Sequence, residues 1–154
     1  MHSLLLGLVM ACALWPLSAV ADIQWRIINR PYVQGQFNDD QGEQAFWAYC
    51  RPGPVIDVGV GANAHVGEGS GEAVMLSLIS GGETASLRGI SRKTANFDKT
   101  GGTELRTSVL EDDPLFDVLA TGQPIAVTGS IQGSVTWNVE GLRSRVRNFL
   151  RQCR

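Results

Sequence analysis

The stretch Ser134-Val135-Thr136-Trp137-Asn138-Val139-Glu140-Gly141-Leu142-Arg143-Ser144-Arg145-Val146-Arg147-Asn148-Phe149-Leu150-Arg151-Gln152-Cys153-Arg154 changes period halfway along. Val135, Trp137 and Val139 alternate with polar residues, the period-2 signature of a half-buried strand. From Leu142 the apolar residues fall at helical offsets, and Leu142, Val146, Phe149, Leu150 and Cys153 make one stripe. The pattern predicts a strand running into an amphipathic C-terminal helix, with Asn138 as its cap. Arg143, Arg147, Arg151 and Arg154 share a flank beside that stripe.

Further upstream, short apolar runs alternate with turn signals. Ile23, Trp25 and Ile27 mark a first strand, while residues 30–42, rich in Gln, Asn, Asp and Gly, read as a loop or mobile arm. Residues 44–50 are aromatic and strand-like, and Pro52 and Pro54 break them off. Residues 55–60 alternate. The glycine-dense residues 61–71 read as a flexible hairpin or surface loop. Their Gly-x-Gly-x-Gly run invites comparison with a phosphate cradle, but a strand-like segment follows where a cradle needs a helix. Strands are expected at 73–79, 84–90 and 103–110, with Gly81-Gly82 as a turn and 94–102 as a polar connection. Between 112 and 122 the period lengthens. Asp113 can cap, Pro114 suits a first helical turn and Gly122 can end a short helix. Residues 123–128 and 133–139 pair as a hairpin.

Successive strands lie too close for helical crossovers, so the sheet should be largely antiparallel. The fold expected is mainly β: an antiparallel sandwich or bent sheet with one short inserted helix and the C-terminal helix docked on it.

The N-terminus is apolar and closes on Ala19-Val20-Ala21, a small-x-small signal-peptidase pattern followed directly by Asp22. Cleavage after Ala21 is expected, leaving one β-rich domain over residues 22–154 with no stable membrane insertion. A lipidated Cys12 is the alternative, though the apolar run continues past it. The removed segment has no Lys, Arg, Asp or Glu, so the net charge of −2 is unchanged. Such a chain is not a general nucleic-acid binder. Removing Cys12 leaves Cys50 and Cys153. An even count in an exported chain implies a disulfide, closing a loop of about 100 residues worth ~4–5 kcal/mol. Two free buried thiols are the alternative, and with a single further His they make no finger-like metal set.

Three features recur together: the strand ending in Cys50, the unit Leu115-Phe116-x-x-Leu119-x-x-Gly122, and the passage Trp137-Asn138-Val139-Glu140-Gly141-Leu142 leading to Cys153. In these the region 50–153 resembles small exported bacterial proteins of the type VI secretion accessory kind. Their C-terminal halves carry a similar Phe-x-x-Leu unit, a Gly-Leu helix start and a final cysteine. The glycine-rich loop and short N-terminal portion depart from that pattern. The resemblance implies a periplasmic accessory role and brings no catalytic residues.

Candidate chemistry is sparse. His65 is the only histidine after the leader, and a Ser-His-Asp or Cys-His apparatus would have to be built on it. It reads as a solvated loop residue. Asp39-Asp40 reads as polar loop, without the alternating ligands of a calcium loop. Glu111-Asp112-Asp113 reads as N-terminal charge for the short helix. Asp57 would need a partner across a cleft to act as a paired carboxylate. Trp25, Phe46, Trp47, Tyr49 and Trp137 serve a core more readily than a stacking surface, although Phe46 and Trp47 must face opposite sides of their strand.

The expectation is a non-enzymatic periplasmic or secreted binding or accessory protein without a cofactor, whose partner is another envelope protein. An inhibitor of a secreted hydrolase is the rival, and a carboxylate hydrolase comes behind it. Arg143, Arg147 and Arg151 are the expected contacts for an anionic partner.

Overall fold

The computed structural model describes residues 19–27, 32–37, 43–62 and 65–154. Among these residues nine strands close into one barrel: β1 (Ala19–Ile27), β2 (Tyr32–Phe37), β3 (Gln44–Cys50), β4 (Val55–Gly61), β5 (Ser70–Ser80), β6 (Glu83–Lys93), β7 (Thr103–Leu110), β8 (Ile125–Gly129) and β9 (Val135–Asn138). Three helices accompany them: α1 (Phe97–Thr100), α2 (Pro114–Ala120) and α3 (Leu142–Cys153). Around the ring the order is β1-β2-β3-β4-β7-β6-β5-β8-β9.

The expected sandwich or open bent sheet is therefore wrong. β1 pairs antiparallel with β2 on one side and parallel with β9 on the other, through Ala19↔Val135 to Asp22↔Asn138, which seals the ring. The expected loop or arm at 30–42 also contains a strand, β2, which links β1 to β3. Its alternation is hard to see because one of its inward positions is a glycine: Val33 and Gly35 both face the core. Gly35 is small because a Cβ there would lie 2.8 Å from the Trp25 ring.

Inward-facing residues fill the barrel, as its size requires. Trp137, Phe46, Leu76, Leu78, Leu105 and Ile125 are among the fully buried ones. Trp25 leans on Phe46 and Trp137 at centroid distances of 5.8 and 6.3 Å. Exposed positions on the same strands include Asp22, Arg26, Arg88, Arg92 and Arg106. Apolar inside and polar outside is the reverse of a lipid-spanning barrel's alternation. No helix among the described residues is long and apolar enough to cross a membrane.

The two longer helices gather at one end. α2 touches β5 and β6, α3 touches β1 and β2, and the two helices touch each other, so the pair bridges opposite sides of the ring. Leu115, Phe116, Val118 and Leu119 of α2 and Leu142, Val146 and Phe149 of α3 are buried there. The expected stripe of α3 thus faces the barrel, with Leu150 and Cys153 packed partly against the core. Cys153 is bonded to Cys50 at the end of β3, Cα–Cα 5.6 Å, which ties the last turn of α3 to the wall.

Asp113 caps α2 through Leu115 N–H (2.9 Å), with Pro114 in the first turn. Asn138, expected to cap α3, does not: its side-chain amide donates to Asp22 Oδ1 at 3.0 Å. Gly141, in the left-handed region at φ 72°, occupies the cap instead. A further single turn, α1, lies within the polar connection 94–102.

The opposite end is covered by the glycine-rich connection. Val66 is fully buried there, and its carbonyl accepts from Ser91 Oγ. The backbone N–H groups of Glu68 and Ser70 donate to the carboxylate of Glu72, as does Ser70 Oγ. These donors hold Glu72 down at a pKa of about 2. The chain's own carboxylate therefore occupies what could have been an anion cradle, and β5 follows it instead of a helix.

Candidate functional site

The most differentiated surface lies outside the barrel, where strand alternation turns side chains of β2, β3, β4 and β7 outward. The register aligns them in three rungs: Tyr32, Tyr49, Asp57 and Ser108; then Gln34, Trp47, Gly59 and Arg106; then Gln36, Gln44, Gly61 and Glu104, with Gln36 opposite Gln44 and Gly61 opposite Glu104. Gly59 and Gly61 leave a trough in the middle strand. The Trp47 indole lies in it so closely that a Cβ on Gly59 would fall 2.0 Å from Nε1. From there Trp47 Nε1 donates to Glu104 Oε2 at 3.0 Å.

Glu104 is fully buried although its position faces outward. Arg106 Nε reaches its other oxygen at 2.6 Å, and the guanidinium carbon stands 5.8 Å from the Trp47 ring centroid. Burial pushes Glu104 above the usual carboxylate range, and the Arg106 hydrogen bond opposes that shift. The Tyr32 ring stacks with Trp47, centroids 6.5 Å apart and 18° between planes. Gln44 Nε2 donates to the Tyr32 hydroxyl at 3.0 Å, and burial raises that phenol's pKa.

Beside this stack is a cleft of about 310 Å³ lined by Tyr32, Gln34, Gln36, Glu43, Gln44 and Asn96, among others. Both Glu43 carboxylate oxygens are buried and have no hydrogen-bond partner. They lie against Gly102, where a Cβ would meet one of them at 2.5 Å. An aromatic stack flanked by amides, with an unsatisfied acceptor nearby, suits the binding of a polar ligand rich in hydrogen-bond donors.

The sequence-predicted candidates are dispersed. His65 is exposed in the glycine-rich connection. Asp57 is held by Arg51 (2.6 Å) and Ser108 Oγ (2.6 Å). Glu111 lies 3.5 Å from Arg154. Asp39-Asp40 falls outside the described residues, as does Cys12. Of the aromatics, Trp25, Phe46 and Trp137 are core, whereas Trp47 and Tyr49 face outward. Among the described residues no three His, Cys, Asp or Glu side chains converge as a metal set.

Arg143, Arg147 and Arg151 are all exposed, as their flank predicts, along a groove of about 690 Å³. They are not equivalent. Arg143 Nε donates to Ala120 O at 2.7 Å and its terminal nitrogen donates to Thr121 O, so it satisfies the last carbonyls of α2. Arg151 reaches Asn148 at 3.3 Å on its own helix. Arg143→Gln is therefore expected to cost about 1 kcal/mol, while Arg147→Gln stays within about 0.5 kcal/mol of wild type. Urea midpoints of the two variants check this, and equal midpoints would contradict the anchoring role.

Sequence reasoning missed Tyr32, Gln34, Trp47, Glu104 and Arg106 as a group. The available signal was Gly59 and Gly61 on one face of a strand, which marks close approach from a neighbour. No family model matches this chain, and neither does any curated protein or solved structure.

Proposed function

We propose that this chain is an exported, non-catalytic binding module of the cell envelope, and that the Tyr32–Trp47 cleft is the face it presents to its partner. One observation carries the reading: Tyr32, stacked on Trp47, and a set of glutamine amides line a cleft in a sheet wall whose core is complete without them. Two of the acidic groups nearby have structural duties. Glu104 holds Trp47 and Arg106, and Asp57 holds Arg51 and Ser108. Among the described residues that leaves Glu43 as the unpaired carboxylate lining the cleft, whereas glycoside hydrolysis uses a facing pair. The disulfide is compatible with an oxidising compartment. An accessory role in a secretion machine follows from the resemblance of region 50–153 and is carried as part of the proposal.

Affinity capture from envelope extracts tests it. Gln34→Ala with Gln44→Ala should weaken retention of the partner about tenfold, the loss expected for one or two hydrogen bonds. Arg147→Gln with Arg151→Gln should retain it. The opposite pattern would move the binding face to α3.

A further inference from the structure

Ala19, Val20 and Ala21 have two roles that conflict. In sequence they are the small-x-small triplet preceding the expected cleavage site. In the fold they open β1 and pair in parallel with Val135, Thr136 and Trp137 of β9. Cleavage after Ala21 removes those three pairs and leaves Asp22↔Asn138, supported by the 3.0 Å side-chain bond between the two. The rest of β1 keeps its antiparallel ladder to β2 from Ile23 to Ile27, and β9 keeps its ladder to β8. The barrel therefore opens along one seam without losing its other joints. A cavity of about 220 Å³ lined by Asp22, Ile23, Gln24, Asn138 and Glu140 already lies at the foot of that seam.

We infer that in the exported protein β9 is an open edge that accepts an extended strand from a partner protein, laid parallel to β9 where Ala19–Ala21 lie in the uncleaved chain. This rests on the reading of the chain as an exported binding module. Val135, Thr136 and Trp137 carry none of the charges or prolines that usually guard a free edge. Backbone hydrogen bonds would supply the affinity, and alternate side chains the selectivity. The chain's own segment defines what fits. Ala21 is 7% exposed and faces the core at the level of Trp137, so the inward residue must be small. Val20, next to it, is 73% exposed, so the outward residue is unrestricted.

The experiment starts with the full chain exported from cells and purified from the envelope. Intact mass comes first. A chain that keeps Ala19–Ala21 overturns the processing reading, and this inference with it, before exchange is measured. With Asp22 as the first residue, hydrogen exchange should be about tenfold or more faster at 135–137 than at 125–127, because one side of β9 is unpaired. Millimolar Lys-Ser-Ala-Val-Ala peptide should slow exchange at 135–137, while Lys-Ser-Ala-Val-Phe should not. Equal exchange on β8 and β9 in the cleaved protein, or no response to the first peptide, would overturn the inference and leave the proposed cleft untouched.

Discussion

Replacing Cys50 and Cys153 together by alanine is expected to lower stability by about 4–5 kcal/mol, the entropy recovered by an unfolded chain no longer closed over a loop of this length. The cysteines are 103 positions apart. For a domain of this size the loss corresponds to roughly 10–20 °C in melting temperature. The double variant should still fold, because Leu142, Val146 and Phe149 keep the first turns of α3 buried against the barrel. Only the turn ending in Cys153 loses its tether, so amide exchange should accelerate there first. Reductant should reproduce the shift in the wild type. A melting temperature unmoved by reductant would show that the thiols are free.

The second large effect concerns Glu104. Its folded-state pKa is raised, mainly by burial, so the folded chain binds more protons than the unfolded one between the ordinary glutamate value and the raised one. Stability at that site is therefore highest below the ordinary value and declines as pH rises through the window. Glu104→Gln should remove this decline. Arg106→Gln should deepen it, because the carboxylate then keeps only Trp47 as a hydrogen-bond partner. Removing one partner of a fully buried pair costs about 3–5 kcal/mol. The Arg106 side chain is 44% exposed against 1% for Glu104, so about 2–3 kcal/mol at neutral pH is expected after solvent screening. Denaturant midpoints from pH 4 to 8 give the comparison. Parallel curves for wild type and Glu104→Gln would contradict the assignment.

What the sequence revealed divides by range. β3 coincides with the segment read from its aromatic, strand-like residues and β7 with one read from alternation, and the Asp113 cap with its Pro114 is present as expected. Those signals lie within a few residues of one another. Closure was hidden because it joins the two ends of the chain, and a parallel pair leaves no hairpin turn to announce it. β2 was hidden because a glycine under Trp25 replaces one of its apolar inward positions. Asn138 fitted a local capping rule, but its amide was taken by Asp22 from the far end of the sequence. The cleft was hidden for a related reason. Glu104 sits at an outward position that reads as solvated, and Trp47 reaches it from two strands away, lowered over Gly59 of the strand between.

The proposed binding surface can be tested directly in living cells. A photo-crosslinking amino acid at Gln34 stands in the cleft, and one at Arg147 stands on the exposed flank of α3. Each is introduced singly, irradiated, and the adducts compared after purification under denaturing conditions. A discrete heavier adduct from position 34 and none from position 147 is the predicted result. An adduct from position 147 alone would contradict the cleft as the binding face and assign that role to the arginine row.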